Sequence, residues 1–397
     1  MLERAFLLPT DLPMTDAEFS LFAARHIRWT VSELLALEGR VSLLSPTHTS
    51  RSSKIDTLPE SPLARLDETL QTRRAREGQL TASIVICTRH RARELDECLQ
   101  HLTGELAEGR EVIVVDNGDD EHTRSVVARH SGVTYVSEPE TGLNRARNTG
   151  LKHVRSDVAC FIDDDVRPEP GWVDALLTRF TDERIGVVCG LVLPYELQTQ
   201  AQIDFEYHLG FGGMGLVPWR VTAEAVAEWP GGFPVWTLGA GANMAVRCET
   251  ARELGGFDER IGAGAIGGAG DDSEFWYRVL QRYDAGYEPL SVVRHKHRRS
   301  VAELRSQAEG YSFGHVVALF VQFAGARNRN QLERVFIHLP RYHLGRVKRW
   351  PRNRLLGRRD PLLGCEIRGY LRALRFQLRA SGRSAARGLR RDVASGS

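Results

Sequence analysis

DVACFIDDDVRPEPGW, residues 157–172, sets an apolar run against three consecutive aspartates and a turn that carries two prolines. A short, continuous apolar run reads as a strand buried on both faces. Successive side chains of an extended chain point to opposite sides, so Asp163 and Asp165 share a side and Asp164 faces away. Two carboxylates so placed can hold a hard divalent cation, Mg2+ or Mn2+, which takes oxygen ligands and shares them with phosphates. The plainer alternative is a solvated acidic turn, with Glu169 and Asp174 favouring the start of the next helix.

Working outward, SIVICT (83–88), EVIVVDN (111–117), GVTYVSE (132–138) and GVVCGLVL (186–193) repeat the apolar burst. Helix-patterned stretches such as RHRARELDECLQHL and LNRARNTGLKHV separate them. This alternation predicts an α/β fold, a mostly parallel sheet with helices on both faces. Such sheets bind ligands at the carboxyl ends of their strands, where Asp116 and Asp163–Asp165 fall. The turn after the first strand, CTRHRARE, has no glycine, and no GKS or GKT occurs, which excludes a dinucleotide-binding turn and a P-loop. Asp116 closes VIVVD and can accept from a ribose or a base N–H, or can shape a turn with Asn117 and Gly118. Arg145 and Arg147, in GLNRARNTG, can fork onto phosphate oxygens, or can be ordinary surface arginines.

The chain has 397 residues, 42% hydrophobic and 26% charged, with a net charge of +2. That is an ordinary globular composition, long enough for two domains or one core with extensions. The six cysteines form no CxxC pair, which argues against zinc and a disulfide framework and fits a reducing compartment. MLERAFLLPTDLP does not read as a signal peptide, and the longest apolar stretch, 315–324, is too short to span a bilayer. A cytoplasmic location is expected. Residues 1–80 read as an accessory region, with helices in 16–38 and 66–77, a strand at 40–44 and a loop at 46–62. Tyr195, Tyr207, Phe211, Trp219, Trp229 and Trp236 can stack on sugar faces or fill a core. GFGGMG (210–215) reads as a flexible or tight loop. From Arg341 to Asp392, 16 Lys or Arg stand against 3 Asp or Glu. Ile367, Tyr370, Leu371, Leu374 and Leu378 recur at helix spacing with Arg368, Arg372, Arg375 and Arg379 on other faces. That helix either lies peripherally on the inner face of an anionic membrane or packs on the rest of the chain. No nucleic-acid recognition fold accompanies the charge, so no nucleic-acid partner is expected.

VICTRHR (85–91), VVDNGDD (114–120), GLNRARNTG (142–150), FIDDDVRPEPGW (161–172), GAGANMAVR (239–247), LGGFDE (254–259) and GAGDDSEFWYRVL (268–280) occur in this order. Together they resemble the family 2 glycosyltransferases of the GT-A fold, over roughly residues 82–299. The resemblance implies a catalytic domain at 81–300, split into a nucleotide-sugar half (81–190) and an acceptor half (191–300), followed by a helical basic extension at 301–397. It implies an inverting, metal-dependent transfer of a sugar from a nucleoside diphosphate to an acceptor hydroxyl. Thr88, Arg91, Asp116, Arg147, Asp163 and Asp164 would then contact the nucleotide. Asp165 would hold Mn2+ or Mg2+ with His295 or His297, and Asp272 would be the catalytic base. Asp271 stands where the family has glutamate, and Asp271, Trp236 and Asn243 would line the acceptor side. The donor would be a UDP-sugar first, with GDP and dTDP next, and the acceptor a carbohydrate, a lipid-linked group or a small molecule. The rival readings are a nucleotidyltransferase, which calls for a glycine-rich phosphate loop after the first strand, and a noncatalytic sugar-nucleotide-binding scaffold.

Overall fold

The computed structural model describes residues 80–211, 215, 217–355 and 360–394. The elements expected within 1–79 and residues 212–214 of the 210–215 loop lie outside the described residues. The Val- and Ile-rich runs form strands because β-branched side chains pack well on a pleated surface covered on both faces. They are β1 (Ala82–Thr88), β2 (Glu111–Asp116), β3 (Val133–Ser137), β4 (Val158–Asp163), β5 (Val166–Pro168), β6 (Ile185–Pro194), β7 (Trp219–Val221), β8 (Asn243–Arg247) and β9 (Asp284–His295). They make one nine-stranded sheet, ordered β3-β2-β1-β4-β8-β6-β9-β5, with β7 pairing to β9.

The strands β3, β2, β1, β4, β6 and β9 run one way, and β8, β5 and β7 run against them. The sheet is therefore mostly parallel with an antiparallel wedge, β8, between β4 and β6. Alternation along each strand splits the core in two. Val85, Ile113, Val115 and Phe161 face one layer. Ile84, Ile86, Val112, Val114 and Ile162 face the other.

The apolar 315–324 stretch lies within a longer helix, Val301–Ala326, which Ser300 and Glu303 start with a capping box. This helix crosses the start of the helix Asp271–Val279 at close range. A Cβ on Gly314 would overlap the Ala269 carbonyl, so only glycine fits there. Gln322 also donates to the Ser273 carbonyl at 3.2 Å.

The helix Leu363–Ala394 packs on the 301–326 helix through Tyr370, Ala373, Leu374 and Phe376. Tyr370 donates to the Val335 carbonyl at 3.1 Å. Arg368 and Arg372 pair with Glu309 at 3.2 and 2.9 Å. Of the apolar row named from the sequence, Tyr370 and Leu374 are covered by the neighbouring helix and two of the arginines are paired, while Leu371 and Leu378 are 43% and 73% exposed. Among the described residues no helix is long and apolar enough to cross a membrane.

Candidate active site

Strand pairing brings the acidic turn to a distant histidine. β4 ends at Asp163, and β5, just after the turn, pairs antiparallel with the end of β9 so that Val166 stands opposite His295. Lys296 N–H donates to the Asp165 carbonyl at 3.1 Å and fastens the turn. Asp163, Asp165 and His295 each offer one ligand atom, and these lie within 4.8 Å of one another. Asp164 points away from this group. It accepts from Thr88 Oγ1 at 2.7 Å and Arg91 Nη1 at 2.6 Å, while Arg91 Nη2 reaches Asp165 at 2.7 Å. Thr88, Arg91 and Asp164 were expected at the nucleotide; here they clamp one another and fix the turn.

The hydrogen bonds decide the tautomers of both histidines. A carboxylate only accepts, so His297 donates from Nε2 to Glu206 Oε1 at 2.6 Å. Burial holds both imidazoles below the usual range, in the neutral form. His297 Nδ1 therefore accepts from His295 Nδ1–H at 3.1 Å. That leaves His295 Nε2 without a proton, 3.4 Å from Asp165 Oδ1. An imidazole lone pair and a carboxylate face each other with Asp163 alongside. A divalent cation among them satisfies all three, so the residues fit Mn2+ or Mg2+. His297, also expected as a ligand, instead orients His295 and stacks tilted on Phe205, with centroids 4.2 Å apart. Burial raises Asp163 and Asp164 above the usual carboxylate range. Burial alone would raise Asp165 too, but the Arg91 guanidinium that donates to it at 2.7 Å helps hold it low.

The second acidic pair starts the 271–279 helix. Gly270 precedes it at φ 96°, and Asp271, Asp272 and Glu274 sit in its first turn, where unsatisfied N–H groups favour negative charge. Asp272 is partly exposed. It accepts from Gly241 N–H at 3.1 Å and Ser273 N–H at 2.6 Å. Burial and the neighbouring Asp271 push its carboxyl up to about 6, against the pull of Arg147. Asp271 turns inward and pairs with Arg147. Arg147 is buried and also donates to Asn144 Oδ1 at 3.2 Å. Arg147, expected at a phosphate, and Asp271, expected at the acceptor, are here each other's buried counter-charge.

Two further expectations change for similar reasons. Asp116 is fully buried and accepts from Gly118 N–H, Asp120 N–H and Tyr135 Oη at 3.0, 2.7 and 2.9 Å. Its carboxylate shapes the turn. Asn243 is fully buried where β6 and β9 slip register. Its amide donates to the Leu191 and Ser291 carbonyls at 3.2 and 2.9 Å and accepts from Ser291 Oγ at 3.2 Å. It braces a bulge. Trp236 is 41% exposed, edge-on to His315 at 4.7 Å and under the Arg334 guanidinium at 4.6 Å. It lies in the short turn Val235–Leu238, just before the loop whose Gly241 amide donates to Asp272.

Sequence reasoning missed Glu206 and Tyr311. Burial raises the Tyr311 hydroxyl, which accepts from Gln307 at 2.9 Å, and the charges of Asp163, Asp272 and Asp165 raise it further. Tyr311 lies within the apolar-faced 301–326 helix, which carries no motif. Glu206 has no signal beyond its place in the helix Gln200–His208.

Residues 83–205 match the description Glycosyl transferase family 2. This part of the chain is similar to glycosyltransferase family 2. The match spans β1 to the 200–208 helix, and so includes the acidic turn but stops one residue short of Glu206. The pre-mycofactocin glycosyltransferase of Mycobacterium tuberculosis (strain ATCC 25618 / H37Rv) is 26% identical over 228 residues, 56% of this chain and 44% of that protein. Chondroitin synthase of Pasteurella multocida (strain Pm70) is 25% identical over 227 residues, 50% of this chain and 23% of that protein. The chain thus spans less than half the length of either. The mannosyltransferase PcManGT of Pyrobaculum calidifontis, solved with GDP-Man and Mn2+, superposes with a TM-score of 0.52 at 17% identity, over 78% of this chain and 94% of that one. At that identity the likeness establishes the shared fold of the family 2 domain.

Proposed function

We propose that the chain transfers a sugar from a nucleoside diphosphate to an acceptor hydroxyl with inversion at the anomeric carbon. The observation that carries the reading is the grouping of Asp163, Asp165 and the unprotonated Nε2 of His295 within 4.8 Å at the carboxyl edge of the sheet. A cation held there supplies positive charge to the departing diphosphate. Arg298, whose charge is felt at Asp165, adds a second cation on that side. Asp272 takes the proton of the acceptor hydroxyl. A carboxyl near 6 is ionised at neutral pH yet basic enough to accept a proton as the bond forms. The acceptor oxygen bonds to the anomeric carbon, the bond to the diphosphate oxygen breaks, and the proton ends on Asp272. Trp236 offers an aromatic face for the acceptor's sugar or ring.

UDP-sugars are the first donors to test, then GDP- and dTDP-sugars. The acceptor is a carbohydrate, a lipid-linked group or a small hydroxyl compound. A panel of sugar nucleotides is titrated with and without Mn2+, and the donor that is hydrolysed is then offered to acceptors. For an α-linked donor the product is expected to be β, read from its anomeric proton signal. A retained α product, or donor binding indifferent to Mn2+, overturns the reading.

A further inference from the structure

Beyond the acidic site, the segment from Arg334 to Leu355 stands apart in both charge and exposure. It opens with the irregular turn Arg334–His338 and continues as the helix Leu339–Leu355. Ile337, Pro340, Leu344, Val347, Pro351 and Leu355 recur every three or four residues, the spacing of one helix face. Ile337, Leu344, Val347 and Leu355 are 41%, 53%, 46% and 88% exposed, and the neighbouring Phe336 is 57% exposed. A basic row, Arg341, Lys348 and Arg352, follows one position behind the apolar row. Among the described residues none of these three has an acidic partner. The helix is held to the rest of the chain along His343, which is buried, and Arg346, which is clamped by Asp360 at 2.7 Å and by Glu366. From residue 334 to 359 the sequence has nine Lys or Arg and no Asp or Glu.

We propose that this face docks on an anionic lipid surface, with the apolar row among the acyl chains and the basic row on the headgroups. A folded chain gains nothing in water by presenting five large apolar side chains on one face. A bilayer interface accepts such a row, and acidic headgroups complement the flanking cations. A nucleic acid would match the charge but leave the apolar row without a partner. Docking is independent of the transfer reaction. Given the proposed transfer, it also places the acceptor: Arg334, at the head of the segment, lies over Trp236, so the docked face ends beside the acceptor side and the acceptor is presented from the membrane.

The full chain is mixed with vesicles of phosphatidylcholine alone, or of equal parts phosphatidylcholine and phosphatidylglycerol, and bound protein is separated by flotation. Binding is expected to the anionic vesicles only and to fall with added salt. The double variants Leu344→Glu with Val347→Glu, and Lys348→Glu with Arg352→Glu, are expected to lower partitioning by about tenfold or more. All four side chains are exposed, so melting temperature and donor hydrolysis in solution should stay at wild-type values. Leu378→Glu, on the exposed side of the C-terminal helix, should bind like wild type. No binding of the wild-type chain to anionic vesicles overturns the proposal. So does binding lost in Leu378→Glu but kept in the two double variants. A wild-type dimer by light scattering that Leu344→Glu with Val347→Glu splits, without vesicle binding, assigns the face to a second copy and also overturns it.

Discussion

Replacing Asp272 by Asn should abolish most turnover and at the same time stabilise the fold. The carboxyl sits at the start of the 271–279 helix, faced by Asp271, Arg147 and the Tyr311 phenol, and is pushed from 3.8 up to about 6, first by burial and then by Asp271. At about 1.4 kcal/mol per pH unit, holding the charged form costs the folded chain about 3 kcal/mol. Water at its partly exposed edge screens some of that. Asn also has a single oxygen acceptor, so one of the two bonds from Gly241 and Ser273 is lost, at about 1 kcal/mol. A net gain of about 1–2 kcal/mol remains, or a few degrees in melting temperature.

The sign follows from the direction of the shift. The folded state prefers the protonated carboxyl, so the cost is complete above pH about 6 and absent below 3.8, where the acid is protonated folded or unfolded. The advantage of Asn therefore shrinks as pH falls from about 8 to about 4. Denaturant melts of both proteins across that range measure it, and turnover is expected to drop about 10²–10⁴-fold with donor affinity kept. An Asn variant less stable than wild type at pH about 8, or a pH-independent difference, refutes the burial argument. Unchanged turnover refutes the base.

Glu206→Ala should lower Mn2+ affinity about 10–100-fold by calorimetry, because His297 and then His295 lose their fixed tautomers while every ligand atom is retained. Asn243→Ala leaves two buried carbonyls and a hydroxyl without their partner and should cost about 1–3 kcal/mol or more in urea unfolding, with little change in donor affinity. Arg147→Met strips the counter-charge from Asp271 and should cost about 3–5 kcal/mol, and adding Asp271→Asn should recover part of it.

The strands were legible because a sheet covered on both faces demands continuous apolar runs, and those runs are short enough to be bounded by eye. Their directions were less so. An apolar pattern carries no polarity, and β8 was readable as a motif but not as an antiparallel strand wedged between β4 and β6. The acidic turn was legible for the same reason as the strand before it, since period-two alternation already separates Asp164 from Asp163 and Asp165. Asp116 and Asn243 were not. A polar side chain at a strand end looks the same in sequence whether its partner is a ligand or a backbone amide. The choice depends on which N–H and C=O groups a turn or a bulge leaves unpaired, and that is set only when the strands pair.

Asp271 and Asp272 pose the same problem in helical form. Neighbours on a helix differ by about 100° in direction, so both cannot face one cleft. The sequence supplies two acids and no means to rank them. Two distant groups break the tie. Arg147, from the helix Leu143–His153, is too deeply buried to be left unpaired, and it draws Asp271 inward. Once Asp271 is inside, Asp272 is turned toward the loop before β8, where the Gly241 amide meets it. The proposed proton acceptor is thus selected by the position of an arginine more than a hundred residues earlier. This is why Arg147 and Asp271, neither of which faces the open cleft, bear on which carboxylate can do the chemistry.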